Sequence, residues 1–456
     1  MNTRPLAALI AASVLAFPFA LLAQDAKTPP VRKPAASAVK KSAPAAAKPA
    51  EPLELAHALD ESTAAALQKL VDAFNESGRS SRSIVLTARS WKEGTLPAML
   101  VLDAAGRAEF LEGKPRFMPL TEVMAKGKEK FASARMPAPM PPWLNDGKGR
   151  LGALPIGLAT PVMFFNKEAF KRVGLDPDLP PGHWLTLQSA LGQLRDAGYA
   201  CPYTSARPAL IHVENMSTWH NEPFARKLAG KKGPNPGEQL AFNGLVQVKH
   251  LALMSSWYKS RYLHIFGRGD EAVPMFSGGQ CQVLTAMSSS WPAIKRDARF
   301  EVGVAPLPFH DDIYNARTGH TLADGASLWI SAGRSASEAQ TIARFVTFVL
   351  DPERQAQWAL DTGFAPLNRA GMVALSPVDA PTVDGVVRVA LRQLAGRGGT
   401  SAPDTASSVA GSNPRVMQAL DEELEALWGD RKPAKAALDT AVQRGAPCAT
   451  ANSLSC

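Results

Sequence analysis

Leu154-Pro155-Ile156-Gly157-Leu158-Ala159-Thr160-Pro161-Val162-Met163-Phe164-Phe165-Asn166-Lys167-Glu168-Ala169-Phe170 is the stretch that decides the fold. Its apolar run reads as a buried strand, and a helix opens after Asn166. Val173-Gly174-Leu175-Asp176-Pro177 and Pro180-Pro181 then break the chain before Trp184, which leads an amphipathic helix from Leu187 to Ala197. Upstream, Ser83–Thr87 and Ala98–Leu102 are short apolar runs of strand type, and Glu54 to Phe74 carries helical spacing. Downstream, Glu338–Leu350, Pro352–Leu360 and Pro414–Trp428 read as helices, the last with Asp421, Glu422 and Glu423 on its wet side. Strands alternating with helices predict an α/β architecture with mostly parallel pairing.

A chain of 456 residues with 46% hydrophobic and 20% charged side chains can bury a large core and form more than one lobe. Its start, Met1-Asn2-Thr3-Arg4 followed by apolar Leu6 to Leu22 and then Ala23, reads as a signal peptide over residues 1–23 that is cleaved on export to the periplasm. Residues 24–52 are Ala, Pro and Lys with few large apolar side chains, the composition of a disordered tether. Residues 1–52 hold seven basic and two acidic side chains, so five of the nine net positive charges lie outside the globular body. A mildly basic body argues against a nucleic-acid partner. Four cysteines, Cys201, Cys281, Cys448 and Cys456, allow three complete pairings; Cys201 with Cys281 is preferred because both fall in the body of one lobe. Cys448 and Cys456 lie in the tail, where they bridge locally or stay free.

The stretch from Leu154 through Trp184 resembles the extracellular solute-binding protein family of ABC importers, which contains the maltose-type and glycerol-3-phosphate-type binding proteins. Glu214-Asn215-Met216-Ser217-Thr218-Trp219, Phe276-Ser277-Gly278-Gly279-Gln280-Cys281, Gly325-Ala326-Ser327-Leu328-Trp329, Thr362-Gly363-Phe364-Ala365-Pro366-Leu367, Asp421-Glu422-Glu423-Leu424 and Leu438-Asp439-Thr440-Ala441-Val442 are similar to the glycerol-3-phosphate branch. Cys201 and Cys281 also fall where that branch carries cysteines. The resemblance implies a two-lobed periplasmic binding protein fold of type II, with hinge-linked lobes and an interlobe cleft. On that template, residues 53–158 and 303–349 form lobe 1, residues 159–302 and 350–445 form lobe 2, and 446–456 are a tail. It implies capture of a small polar solute, carbohydrate or glycerol-phosphate-like, by a monomer that meets a membrane permease. No enzyme activity and no cofactor follow from it. The alternative reading is a degenerate binding-protein fold acting as an envelope sensor or interaction module.

The family's contact positions, taken one at a time, are mostly altered. Phe364 stands where the branch has Tyr, Ala159 and Met287 where it has Ser, Arg207 and Leu210 where a tryptophan pair is expected, and Val409 where it has Arg. Between the first two strands of lobe 1 only Ala88 to Pro97 remain, in place of a helix. The candidate ligand set is Gly325, Phe364, Trp219, Ser288, Ser289, Ser290, Trp291, Asp103, Thr160 and Arg207, with Trp91 beside them. Gly325 would admit backbone amides to an anion, Phe364 and the tryptophans would stack, and the hydroxyls and Arg207 would hydrogen-bond. The same residues also suit packing, and Ser288–Ser290 suits a helix cap. Catalytic signatures are missing: the eight histidines are scattered in sequence, and His310-Asp311-Asp312 and Arg268-Gly269-Asp270 read as polar loops.

Overall fold

The computed structural model describes residues 51–111, 116–131, 144, 150–228, 237–313, 320–367, 369–375, 385–394, 411 and 413–451. The signal-peptide reading, nearly all of the tether, Val409 and Cys456 lie outside them. The described strands are β1 (Leu53–His57), β2 (Ile84–Ala88), β3 (Met99–Leu102), β4 (Leu154–Pro155), β5 (Pro161–Asn166) and β6 (Cys201–Ser205). They continue with β7 (Ala225–Lys227), β8 (Glu238–Leu240), β9 (Leu263–His264), β10 (Cys281–Met287), β11 (Val302–Ala305) and β12 (Ser327–Ile330). One five-stranded sheet runs β2-β1-β3-β12-β4, the other β11-β5-β10-β6-β9, and β7 with β8 forms a separate hairpin.

Both sheets are mixed, which corrects the expectation of mostly parallel pairing. In the first, β1 is parallel to β2 and β3, while β12 is antiparallel to β3 and β4. In the second, β6 is parallel to β9 and β10, while β5 is antiparallel to β10 and β11. The antiparallel members sit beside the places where the chain passes between sheets, so they enter from the opposite end. β11 belongs with the second sheet, which moves the return to lobe 1 later than residue 303. The reason is local: a Cβ on Gly303 would sit 2.2 Å from the Phe165 ring, so only glycine lets β11 lie flat on that ring.

The helical reading of Glu54–Phe74 is corrected at its start. Leu53, Leu55, Ala56 and His57 are buried between β2 and β3 as a strand, and the helix Glu61–Glu76 begins only where the Asp60 carboxylate accepts from Ser62 N (3.1 Å) and Thr63 N (3.0 Å). As the shortened spacing implied, β2 reaches β3 without a helix. Arg89 organises that link: its guanidinium pairs with Glu54 at 2.6 Å and donates to the carbonyls of Ser90, Glu93 and Thr95. Asn166 caps the helix Lys167–Arg172 through Glu168 N and Ala169 N.

Three extended segments connect the lobes side by side. Ala159 and Asp324 exchange backbone hydrogen bonds of 2.6 and 3.0 Å, Ile156 N donates to Ala326 O at 2.9 Å, and Ala365 N donates to Leu158 O at 2.7 Å. Trp358, Phe364 and Leu367 pack into the core of the first sheet, so the segment after residue 350 is shared between lobes. Cys201 and Cys281, register partners on β6 and β10, form a disulfide with Cα atoms 4.6 Å apart. Cys448 is also disulfide-bonded.

Candidate ligand cleft

The crossing segments gather half of the candidate set. Gly325 packs under Gly157, where a Cβ would meet the Gly157 carbonyl at 2.4 Å and the Phe364 ring at 3.2 Å. Phe364 is buried and stacks on Trp358 with ring centroids 6.2 Å apart, so its ring faces protein on several sides. Thr160 and Ser288 tie the second lobe to the hinge: Ser288 N donates to Thr160 O at 2.9 Å and Thr160 N to Ser288 Oγ at 3.3 Å. The Thr160 hydroxyl also bonds Thr321, which donates to Asn215 Oδ1 at 3.1 Å. Gly363 fits against the Ser288 carbonyl and the Trp291 side chain. Trp291, half-buried, stacks on Phe164 at 6.2 Å, and Ser289 and Ser290 beside it stay half-exposed.

The remaining candidates divide. Asp103 is exposed and accepts from Gly106 N at 2.8 Å. Arg207 holds Asp270 through three contacts of 2.6 to 3.0 Å; burial works against its charge, and Asp270 outweighs that burial and raises its pKa, with Asp324 and Asp103 adding to the effect. Arg268 pairs with Glu425 at 2.6 Å, so the two charges of the Arg-Gly-Asp triplet are spent on separate ion pairs. Trp219 lies apart, packed with Ile211 and Leu307. Trp91 packs edge-on against Phe110 in lobe 1.

Sequence reasoning missed the charged centre of this region. Arg107, on the helix Ala104–Leu111, is only 1% exposed and reaches Asp324 Oδ1 and the Gly325 carbonyl, each at 3.4 Å. Glu214, on the π-helical turn Leu210–Asn215, is 7% exposed; burial, then Asp324 and Glu238, push its pKa up to about 8 against the pull of Arg107. Asn215 beside it accepts from Leu322 N at 2.8 Å. An arginine inside Ala-Ala-Gly-Arg-Ala-Glu reads as a wet helix position, so nothing in the local sequence marks it.

The histidines are not scattered in space. His212 Nδ1 meets His250 Nε2 at 3.0 Å, His250 Nδ1 meets His310 Nε2 at 3.1 Å, and His310 N donates to His220 Nε2 at 2.9 Å. Ser205 donates to the Ala206 carbonyl, Thr285 donates to Ser205, and Tyr203 therefore donates to Thr285. His212 must then donate from Nε2 to the Tyr203 oxygen, which passes the same sense along to His250 and His310. The run ends at His310 Nδ1, buried without a hydrogen bond, 3.5 Å from Asp312. His310 is thus a core residue and not part of an exposed polar loop. Burial holds His212 down to about 3 and His220 and His310 to about 4, so all are neutral at pH 7. No group of three or more metal-ligating side chains occurs among the described residues.

The profile of the bacterial extracellular solute-binding protein family matches residues 86–379. The chain belongs to this family. As a solute-binding protein it serves an ABC importer, and the envelope-sensor alternative gains no support. It is 32% identical over 401 residues to the sn-glycerol-3-phosphate-binding periplasmic protein UgpB of Yersinia pestis bv. Antiqua, covering 85% of this chain and 90% of that one. It is 30% identical over 431 residues to the protein of that name in Pectobacterium atrosepticum, covering 92% and 96%. Its fold is similar to UgpB from Mycobacterium tuberculosis in complex with glycerophosphocholine, with TM-score 0.68, 19% identity and coverage of 86% and 97%. An ABC transporter solute-binding protein from Thermotoga lettingae bound with alpha-D-tagatose has TM-score 0.68 at 14% identity, covering 87% and 99%. These relatives are binding proteins, periplasmic by name where curated, and no helix among the described residues is long and apolar enough to cross a membrane.

Proposed function

We propose that this solute-binding protein captures a phosphate-bearing polyol of the glycerol-3-phosphate class between its lobes and delivers it to a membrane permease. The observation that carries the reading is the likeness to sn-glycerol-3-phosphate-binding proteins at 32% identity over 85% of the chain. Ala159, Met287 and Phe364 lack the hydroxyls of the family pattern, so polar contact passes to other side chains. Ser289, Ser290, Trp291, Asp103, Arg207, Thr160, Ser288, Gly325, Phe364 and Trp219 make up the proposed set, with the half-exposed Ser289, Ser290 and Trp291 foremost. The protein acts as a monomer in the periplasm after removal of residues 1–23, with the lobe boundaries expected above except that β11 joins lobe 2.

Isothermal titration of the mature protein with glycerol-3-phosphate, glycerophosphocholine, inorganic phosphate and maltose tests the ligand class. Glycerol-3-phosphate is expected to bind and, at 100 times its Kd, to stabilise the fold by about 2.7 kcal/mol. Binding of maltose with none of glycerol-3-phosphate would overturn the reading.

A further inference from the structure

Asn215 poses a problem that packing alone does not answer. It is fully buried, and its Oδ1 accepts from Leu322 N at 2.8 Å and from the Thr321 hydroxyl at 3.1 Å, which fixes the orientation of the amide. Its Nδ2 then has no hydrogen-bond partner among the described residues. A buried donor left open costs stability, and in native proteins such a group marks stored strain or a function.

The bonds beyond Thr321 run in one direction. Thr321 has one hydroxyl proton and gives it to Asn215, so Thr160 donates to Thr321. Gln393, buried on the helix Gly385–Leu394, donates to the Thr160 hydroxyl at 3.4 Å and to the Pro161 carbonyl at 2.8 Å, and it accepts from Leu307 N at 3.1 Å. Both ends of this chain belong to the second lobe: Val386 and Val389 of the Gln393 helix pack with Val162 and Phe164 of β5, and the turn that carries Asn215 is bonded to β6 through His212 and Tyr203. The two middle members stand on two of the segments that connect the lobes. Thr160 follows directly, and Thr321 precedes by three residues, the rung where Ala159 and Asp324 exchange hydrogen bonds.

We infer that Gln393, Thr160, Thr321 and Asn215 form a clamp that pins two of the connecting segments to lobe 2, with Asn215 as the positioning residue that sets how the lobes stand to one another. Bending on closure is then confined to residues 156–159 and 323–326, between the clamp and the strands β4 and β12 of the first sheet. The open Nδ2 gives the clamp two positions. In the described one the amide oxygen is satisfied and the nitrogen is not, which narrows the energy gap to an arrangement where the nitrogen finds an acceptor. A ligand then needs less differential affinity to move the lobes. This goes beyond the glycerol-phosphate reading, because it concerns the hinge of the two-lobed fold and holds for any solute.

Pulsed electron-spin distance measurement tests the clamp, with labels on Ala65→Cys and Ser189→Cys, exposed helix positions of lobe 1 and lobe 2. The described native cysteines are disulfide-bonded and do not take the label. Titration calorimetry with glycerol-3-phosphate accompanies it. Thr321→Val keeps the side-chain shape and removes the hydroxyl between Thr160 and Asn215. It is expected to broaden the unliganded distance distribution about twofold and to raise the Kd about tenfold, because unpinned lobes have more freedom to lose on closing. A merely structural role would lower Tm and leave the distances alone, so the unaltered distribution in a folded Thr321→Val overturns the clamp whatever the Kd does. If Thr321→Val does not fold, Asn215→Leu decides on the same criterion. No wild-type binding of glycerol-3-phosphate, with maltose bound, removes the ligand class and leaves the distance criterion standing.

Discussion

The π-helical turn Leu210–Asn215 serves two buried polar networks that answer burial in opposite ways. His212 points into the second lobe, where neutral imidazoles, Tyr203, Thr285 and Ser205 pass hydrogen bonds in one direction. Glu214 and Asn215, two and three residues on, face the crossing segments, where charges of both signs gather around Arg107. The first network saturates itself internally except at one nitrogen, and it is a structural element. The second gathers Glu214 and Asp324 about one guanidinium and leaves the Asn215 amide nitrogen buried with no hydrogen-bond partner among the described residues. π-Helical turns are common at functional sites because the inserted residue re-aims its neighbours.

The strongest way to break this contrast is acid. The histidine pKa values are depressed in the fold, so the unfolded chain binds protons below about 6.5 that the folded chain refuses. The stability that their neutrality gives is fully present above that pH and is lost as pH falls toward the folded values of about 4 and 3. Each imidazole contributes about 1.4 kcal/mol per pH unit in that window. Asp312 and Asp311 soften the effect at His310, and Lys249 sharpens it. Melting followed by circular dichroism should show Tm falling by on the order of 10 °C between pH 7 and 4.5. A flat profile would mean that water reaches the imidazoles.

A middle-sized effect separates saturation from mere burial. His250→Leu removes the donor to His212 Nδ1 and the acceptor of His310 Nε2 together, and should cost about 3 kcal/mol in urea unfolding at pH 7. A loss below about 1 kcal/mol would show that the imidazole order adds little. At the small end, Asp270→Asn breaks an ion pair whose side chains are 40% and 44% exposed, and should change stability by less than about 1 kcal/mol. A larger loss would bring Arg207 into the class of buried, committed charges that Arg107 represents.

What the sequence made legible follows from locality. The turn after Asn166, the helix Pro414–Trp428 and the strands near Ile84 and Met99 are written in adjacent residues, as caps, breaks and apolar runs. β1 was obscured because Leu55 and Leu59 also satisfy helical spacing, and only the burial of Leu53–His57 between two neighbours decides for a strand. Of the candidate cleft, Gly325, Ser288, Thr160, Phe364 and Trp291 do converge, since their motifs flank the crossings. Arg107 meets Asp324 across 217 residues, and His250 meets His310 across 60. Such pairs are created by sheet topology, and no local pattern announces them.

The bond between Cys201 and Cys281 also has a mechanical meaning. It joins the neighbouring strands β6 and β10 across 80 residues of chain. Pulled from its ends, the oxidised protein cannot pay out that stretch, so its extended length is shorter by about 270 Å than that of the reduced chain. Tyr203 and Thr285 lie inside and just beyond the clamped loop, on strands that tension can shear but cannot separate at their shared end. For force, the second lobe is a knot tied at one point, and the imidazole network hangs from it.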